Sequence, residues 1–248
     1  MTADVPDSHP RAASLRTRDR LVEGLENGLT SRTGLIAHGR GEAFDYLLGE
    51  RTIPSADRAA RAAAAHLLAA DHPVISVNGN VAALAPERVV DLADATDAAI
   101  EVNLFHRSAE RIEAIADHLR AHGATDVHGL AGDGRIPGLD HDRGICDADG
   151  IERADVVVVP LEDGDRAAAL AELGKSEIVI DLNPLSRSAQ VADVPIVDNV
   201  VRALPTMAAH ARELSEAGAD LDGVIAEFDA DAALADAERT IREGSLAD

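Results

Sequence analysis

The chain has almost no aromatic side chains: no tryptophan, one tyrosine and three phenylalanines in 248 residues. Proteins that read single-stranded nucleic acid stack bases on aromatic rings, so this composition disfavours such a platform. Hydrophobic residues still make up 46%, and the core must therefore be built from Ala, Val, Leu and Ile. Cysteine is reduced to Cys146, which excludes an intrachain disulfide and a four-cysteine metal site. Positive charge is scarce and one-sided: Lys175 is the single lysine, and the other 22 of 23 basic residues are arginine. A formal net charge of −22 repels a phosphate backbone and disfavours nucleic acid as a partner. No apolar run approaches the roughly 20 residues of a membrane-spanning helix. The opening MTADVPDSHPR lacks the apolar core of a signal peptide. The expectation is a cytoplasmic protein without a membrane partner. So acidic and lysine-poor a surface resembles proteins of extreme halophiles, a statement about solvent rather than activity. It also makes any arginines gathered near strand ends more informative.

What the chain does have is an alternation of short β-branched runs and helical stretches. VISVNGN (74–80), IEVNLFHR (100–107), DVHGL (126–130), ADVVVVPLEDGD (154–165), EIVI (177–180) and PIV (195–197) read as strands. Helices are expected from Ser14 to Gly28, from Ser55 (as N-cap) to Ala70, from Pro86 to about Asp97, from Ser108 (as N-cap) to Gly123, and from Asp165 to Gly174. Strands separated by helices at this spacing imply an α/β fold with a mostly parallel, Rossmann-like sheet. The expected organisation is one domain: a helical amino-terminal region (1–70), the Rossmann-like core (71–205) and carboxy-terminal helices (206–248). Pro205 marks a break or kink near the last boundary.

Ligands of such folds bind beyond the carboxyl ends of the strands. The stretch 177–202 fits this rule, since its apolar runs stop at Asp181 and Asn183 and again at Asp198 and Asn199. Between them Arg187 offers a planar, permanently charged fork suited to phosphate. Five of the six asparagines (Asn78, Asn80, Asn103, Asn183 and Asn199) fall at or just past predicted strand ends. Their amides both donate and accept hydrogen bonds, although asparagine also favours turns for its own reasons. A second anion signal is Gly39-Arg40-Gly41, read as a glycine loop opening a helix over Glu42–Leu48, where backbone N–H groups can approach an anion. An ordinary flexible turn remains the alternative. The pattern is not a dinucleotide fingerprint, because Phe44 stands where the third glycine belongs.

Two features are set aside. Gly174-Lys175-Ser176 mimics the end of a phosphate-binding loop, but the earlier glycine is replaced by Ala169 and the motif leads into a strand rather than a helix. Lys175 reads instead as a cation at a helix carboxyl terminus. Residues 131–150 form a long loop rich in glycine and aspartate; its Asp140, His141 and Asp142 have no second cluster at ligand spacing, and no protein metal site is assigned.

Taken together, SLRTRDRLVEG, GLIAHGRGEAFDYLLGE, HPVISVNGNVAAL, EVNLFHR, VVVVPLEDGDR and DLNPLSRSAQ…VDNVVRA resemble the archaeal 4-phosphopantoate–β-alanine ligases, also called phosphopantothenate synthetases. The resemblance runs in order from about His9 to Arg212. It implies a homodimer that joins 4-phosphopantoate to β-alanine with ATP, on the route to coenzyme A. It also implies an acyl adenylate, with release of AMP and diphosphate, and Mg2+ accompanying ATP. Carried over by motif, the nucleotide would meet Arg18, Arg40, Asp181, Leu182, Asn183, Arg187, Ser188, Asn199 and Val200, with Leu182 and Val200 acting through their backbone. Asn78, Asn80 and Arg107 would face phosphopantoate, and Arg40 and Arg107 would serve the chemistry. Two other classes compete: a nicotinamide-dependent oxidoreductase, which the missing glycine fingerprint disfavours, and a nucleotide sensor without catalysis, which has no need of a second polar cluster.

Overall fold

The computed structural model describes residues 5–161 and 164–244. Helices α1 (Ala12–Glu26), α2 (Arg32–Leu48) and α3 (Pro54–Ala69) lead into strand β1 (Pro73–Val77). Next come α4 (Gly79–Leu84), α5 (Pro86–Thr96), β2 (Ala99–Val102) and α6 (Ala109–Ala121), and then an antiparallel ribbon, β3 (Gly134–Arg135) with β4 (Ile145–Cys146). The chain continues as β5 (Val156–Pro160), α7 (Gly164–Glu172), β6 (Ser176–Ile180), α8 (Arg187–Val191), β7 (Val194–Ile196), α9 (Val200–Ala217), α10 (Leu221–Ala226) and α11 (Ala230–Glu243).

The main sheet is parallel, in the order β2-β1-β5-β6-β7. From β1 the chain moves outward to β2, then returns to the other side of β1 to lay down β5. The loops leaving β1 and β5 therefore diverge, and a doubly wound sheet opens its ligand crevice at such a switch point. Every residue of β1 and β5 is buried, as expected when both faces of a parallel sheet are covered. Because successive side chains alternate, Ile75, Val77, Val158, Ile178 and Ile180 pack on one face in a cluster with residues of α3, α5 and α9. Val74, Val157, Val159 and Val179 pack on the other face with Ile136, Leu139, Cys146, Ile151 and Leu170. The first cluster also reaches Leu21 near one end of the chain and Ala237 near the other. No helix among the described residues is long and apolar enough to cross a membrane.

Several sequence expectations are corrected. Residues 32–48 form one uninterrupted helix, so Gly39-Arg40-Gly41 is not a loop and no helix begins at Glu42. The Ser31 side chain caps its start by accepting from the Gly34 N–H, and Gly49, at φ 86°, ends it. Each interior glycine disfavours the helix by about 1 kcal/mol, but Glu42, Asp45 and Leu48 are buried along it. Tertiary packing thus outweighs local propensity. DVHGL is no strand: it makes a single bridge, Glu101 with His128, and Gly129 at φ 99° turns the chain away. Ile53, not Ser55, is the N-cap of α3, because Pro54 takes the first helical position. Helix α9 runs through Pro205 without a break. Residues 131–150 are not structureless, because the ribbon and the turns around it bury Ile136, Leu139 and Cys146 and cover one sheet face together with Leu170 of α7. Lys175 donates to the Glu152 and Ala154 carbonyls at 2.8 and 2.6 Å, so it ties down that covering segment rather than the end of α7. Glu162 and Asp163, read as the end of the fourth strand, lie outside the described residues.

Candidate active-site cleft at the carboxyl ends of the strands

A cavity of about 660 Å³ lies over the carboxyl ends of the sheet and is closed on one side by α2. Its wall is assembled loop by loop. After β1, Asn78 caps α4: its Oδ1 accepts from the N–H groups of Asn80 and Val81 at 3.0 and 3.1 Å. Its Nδ2 donates to the Pro160 carbonyl at 3.0 Å, which pins the diverging ends of β1 and β5 together. Asn80 donates to the Gly34 carbonyl at 2.9 Å and accepts from the Thr30 hydroxyl, so the start of α2 is fastened to the same wall. Between them Gly79 has no room for a side chain. A Cβ there would lie 2.2 Å from the Leu29 carbonyl oxygen and 2.8 Å from Nη2 of Arg111.

The loop after β6 folds on itself. Asp181 accepts from the Asn183 N–H at 2.9 Å, and Asn183 accepts from the Leu185 N–H at 3.0 Å. Ser186 then caps α8, accepting from the Ala189 N–H at 3.1 Å, which sets Arg187 and Ser188 at the head of that short helix. Leu182 is buried beneath the loop; its Cδ1 would sit 3.5 Å from a Cβ on Gly41, so helix and loop lie side by side.

After β7, Asn199 caps α9 and donates Nδ2 to Asp45 on α2 at 2.9 Å. Arg202 closes this network, with Nη2 2.5 Å from Asp45 and 2.6 Å from Asp198. Burial pushes the Asp198 carboxyl above the usual range, against the opposing pull of Arg202 and the Thr52 hydroxyl. The cleft face of α2 also carries His38, whose pKa burial lowers and whose Nε2 has no hydrogen-bond partner among the described residues.

Ten residues singled out from the sequence line this one cavity: Arg40, Asn78, Asn80, Asp181, Leu182, Asn183, Arg187, Ser188, Asn199 and Val200. Two do not. Arg18 lies on α1 and holds Glu42, with Nη2 2.6 Å from the carboxylate. Burial opposes charge on Glu42, yet Arg18, Ser14 and Arg11 together keep its pKa below the usual range. Arg107 donates Nη2 to the Gly129 carbonyl at 2.7 Å, and its buried Nη1 has no hydrogen-bond partner among the described residues. Asn103 also falls away from the cleft. It is fully buried, donating to the Arg143 and Ile145 carbonyls and accepting from Arg166 at 2.8 Å, so it joins the sheet to its covering segment. His141 pairs with Asp165 at 2.9 Å, and no group of three or more His, Cys, Asp or Glu side chains among the described residues is placed to hold a metal ion.

Sequence reasoning passed over His38, Phe44, Arg111 and Arg143, which also line the cavity. For Arg111 a signal existed, because it stands three residues after the Ser108 cap and so in the first turn beyond a strand end. The others depend on how α2 and the covering segment pack. The arrangement as a whole offers separated cationic groups, amide and hydroxyl donors and, among the described residues, one carboxylate acceptor, Asp181, on a shared concave surface. Such a donor set suits anionic ligands.

A family model, phosphopantothenate/pantothenate synthetase, matches residues 55–244. The chain is 53% identical to the 4-phosphopantoate–β-alanine ligase of Thermococcus kodakarensis, over 97% of this chain and 93% of that protein. It is 54% identical to the protein of the same name from Thermococcus onnurineus, over 96% and 92% of the two chains. With the one from Methanospirillum hungatei the identity is 54%, over 98% of each.

Proposed function

The chain belongs to the phosphopantothenate/pantothenate synthetase family, and from that membership we propose that it is an ATP-dependent ligase that condenses 4-phosphopantoate with β-alanine to 4-phosphopantothenate, a cytoplasmic step of archaeal coenzyme A synthesis. The observation that carries this reading is identity of 52–54% to four proteins bearing that name, sustained along nearly the full chain. The cleft supports it. Arg40 and Arg187 would bind ATP phosphates, and Asp181 would accept from a ribose hydroxyl or the adenine amine. Asn183, Ser188 and Asn199 would add donors, and Leu182 and Val200 backbone groups. Mg2+ would enter with ATP. Asn78 and Asn80 would wall the phosphopantoate side. Arg18 and Arg107, standing outside the cavity, enter only through what they hold: Glu42 on α2 and the Gly129 carbonyl.

A carboxylate is a poor acyl donor because its leaving group would be oxide. In the proposed course a phosphopantoate carboxylate oxygen attacks the α-phosphorus, and the bond from that phosphorus to diphosphate breaks. The neutral amine of β-alanine then attacks the acyl carbon, AMP departs and the amine nitrogen loses a proton. The cleft arginines would neutralise charge developing on the phosphoryl groups. Helix α2 also exposes Ile36, Tyr46 and Leu47, at 75%, 46% and 44%, and this apolar side supports contact with a second copy in a homodimer. A monomeric mass in solution would remove the homodimer.

The activity is tested with purified protein, 4-phosphopantoate, β-alanine and ATP. Formation of 4-phosphopantothenate with AMP and diphosphate is expected, together with diphosphate–ATP exchange that needs phosphopantoate but not β-alanine. Release of ADP would replace the adenylate by an acyl phosphate, and absence of product would end the ligase reading.

A further inference from the structure

Among the described residues four arginines line the cleft, and they do not stand together. Arg40 and Arg187 border the β6 side, whereas Arg111 and Arg143 border the side nearest β2. Three strand spacings separate β2 from β6 in the sheet order, about 14 Å at the usual interval. Arg111 is held by backbone carbonyls at two of its nitrogens. Its Nε donates to the Leu29 carbonyl and its Nη1 to the His106 carbonyl, both at 3.2 Å. Two neutral acceptors thus fix the plane of the guanidinium, while Nη2 makes no hydrogen bond among the described residues. Nη2 comes within 2.8 Å of the point a Cβ on residue 79 would occupy, so Gly79 keeps its place open.

No carboxylate among the described residues pairs with Arg111, and burial alone acts on its basicity, lowering it. By contrast Arg11, Arg18, Arg202 and Arg212 each meet an acidic side chain at 2.8 Å or closer. In so acidic a chain, a half-buried arginine at a cavity wall with no carboxylate partner among the described residues is a charge without its counter-charge there. Such a group favours an incoming anion and penalises a ligand that cannot supply one.

We propose that Arg111 is the residue that selects the phosphorylated acid, its Nη2 donating to an oxygen of the phosphate monoester at the β2 end of the cleft while the substrate's carboxylate reaches toward the β6 end. This inference rests on the ligase reading and names within it a specificity-determining residue that neither the strand-end asparagines nor Arg107 supplies. Arg107 turns its guanidinium to Gly129 instead. Among the described residues Arg111 combines three features: it is fixed by carbonyls, has no carboxylate partner and lines the cleft.

The test combines kinetics and ligand protection on Arg111→Gln and Arg111→Lys. For Arg111→Gln, kcat/KM with 4-phosphopantoate should fall roughly tenfold to a hundredfold, the worth of one charge-assisted contact. The KM for ATP should move less than about threefold on the same scale, and the preference for 4-phosphopantoate over pantoate should collapse. Arg111→Lys, which keeps charge but loses the fork, should fall between the two proteins, and it carries the same preference ratio if the glutamine variant does not fold. An unchanged preference would reduce Arg111 to a structural role, and a raised KM for ATP in place of the lost preference would assign it to the nucleotide. Should the wild type ligate nothing, the ligase reading fails, and thermal protection by inorganic phosphate decides the anion subsite alone. Protection lost in Arg111→Gln, with ATP protection retained, would keep it; equal protection in both proteins would end it.

Discussion

The two ends of the cleft are built differently. At the β6–β7 end the cationic groups are exposed: Arg40 on α2, and Arg187 on α8 after a loop whose own hydrogen bonds are short-range. At the β1–β2 end the groups are half-buried and held by long-range bonds, Asn78 to Pro160, Asn80 to Gly34 and Arg111 to Leu29. The exposed arginines can adjust around a ligand, and the half-buried donors are set before any ligand arrives. Pre-set donors favour discrimination, since a ligand lacking the matching group leaves them unpaired. Exposed arginines favour capture and charge neutralisation, with a lower penalty when nothing is bound. The link between the ends is α2, clamped by Asn80 on one side and by Asp45 with Asn199 and Arg202 on the other.

Breaking that clamp should have the largest effect. Asp45→Ala removes a buried carboxylate that Asn199 and Arg202 both use. Loss of one partner from a buried ion pair costs about 3–5 kcal/mol. A fall in melting temperature of about 10 °C is expected for a chain of this size, read by calorimetry, with ATP binding weakened as well. A fall under about 2 °C on the same scale would show that the clamp is not the link.

The pre-set end is challenged next by Gly79→Ala. The added methyl would meet the Leu29 carbonyl at 2.2 Å, so the loss should reach the ~3 kcal/mol upper range of overpacking. It should also displace Arg111, and turnover with 4-phosphopantoate should suffer more than ATP binding. A stable variant with unaltered turnover would show that the wall gives way easily.

The third test concerns what supports that end. Glu101 on β2 is fully buried and accepts from the Asp147 and Ile151 N–H groups of the covering segment at 3.1 and 2.6 Å. Burial raises its pKa from 4.5 to about 7, against those two hydrogen bonds. The folded state therefore holds a proton between those values that the unfolded chain releases. Its contribution to stability is fully present below pH 4.5 and is lost as the pH climbs through about 7. The gap corresponds to about 3 kcal/mol. Denaturant titrations at pH 5 and pH 8 should show wild type losing roughly that amount relative to Glu101→Gln. Wild type keeping or gaining stability relative to Glu101→Gln as the pH rises would contradict the assignment.

The smallest change is Arg40→Lys at the exposed end. Lysine keeps the charge but not the planar fork, and a charge-assisted contact is worth roughly 1.5–3 kcal/mol. Activity should drop about tenfold to a hundredfold with melting unaltered. Arg16→Lys, on an arginine paired with Asp7 at the surface, is the matched control. Wild-type kinetics in Arg40→Lys would remove Arg40 from the phosphate contacts.

Local signals carried the sequence a long way. The β-branched runs at 74–77, 156–159 and 178–180 read as buried strands, and their alternation with helices implied parallel pairing. Polar residues ending those runs, Asp181, Asn183 and Asn199 among them, were legible as cleft residues because a strand's carboxyl end is a position that one element defines alone. Other features depend on contacts between segments far apart in the chain. The helix through Gly39-Arg40-Gly41 exists because Glu42, Asp45 and Leu48 find buried partners, which no local propensity announces. Asn103 shares the strand-end position of the other asparagines, yet the covering segment claims its amide. Arg107 and Arg111 stand four residues apart and look alike as letters. Only the packing of Leu29, His106 and Gly79 around one guanidinium, and of Gly129 against the other, turns the first away from the cleft and holds the second in it.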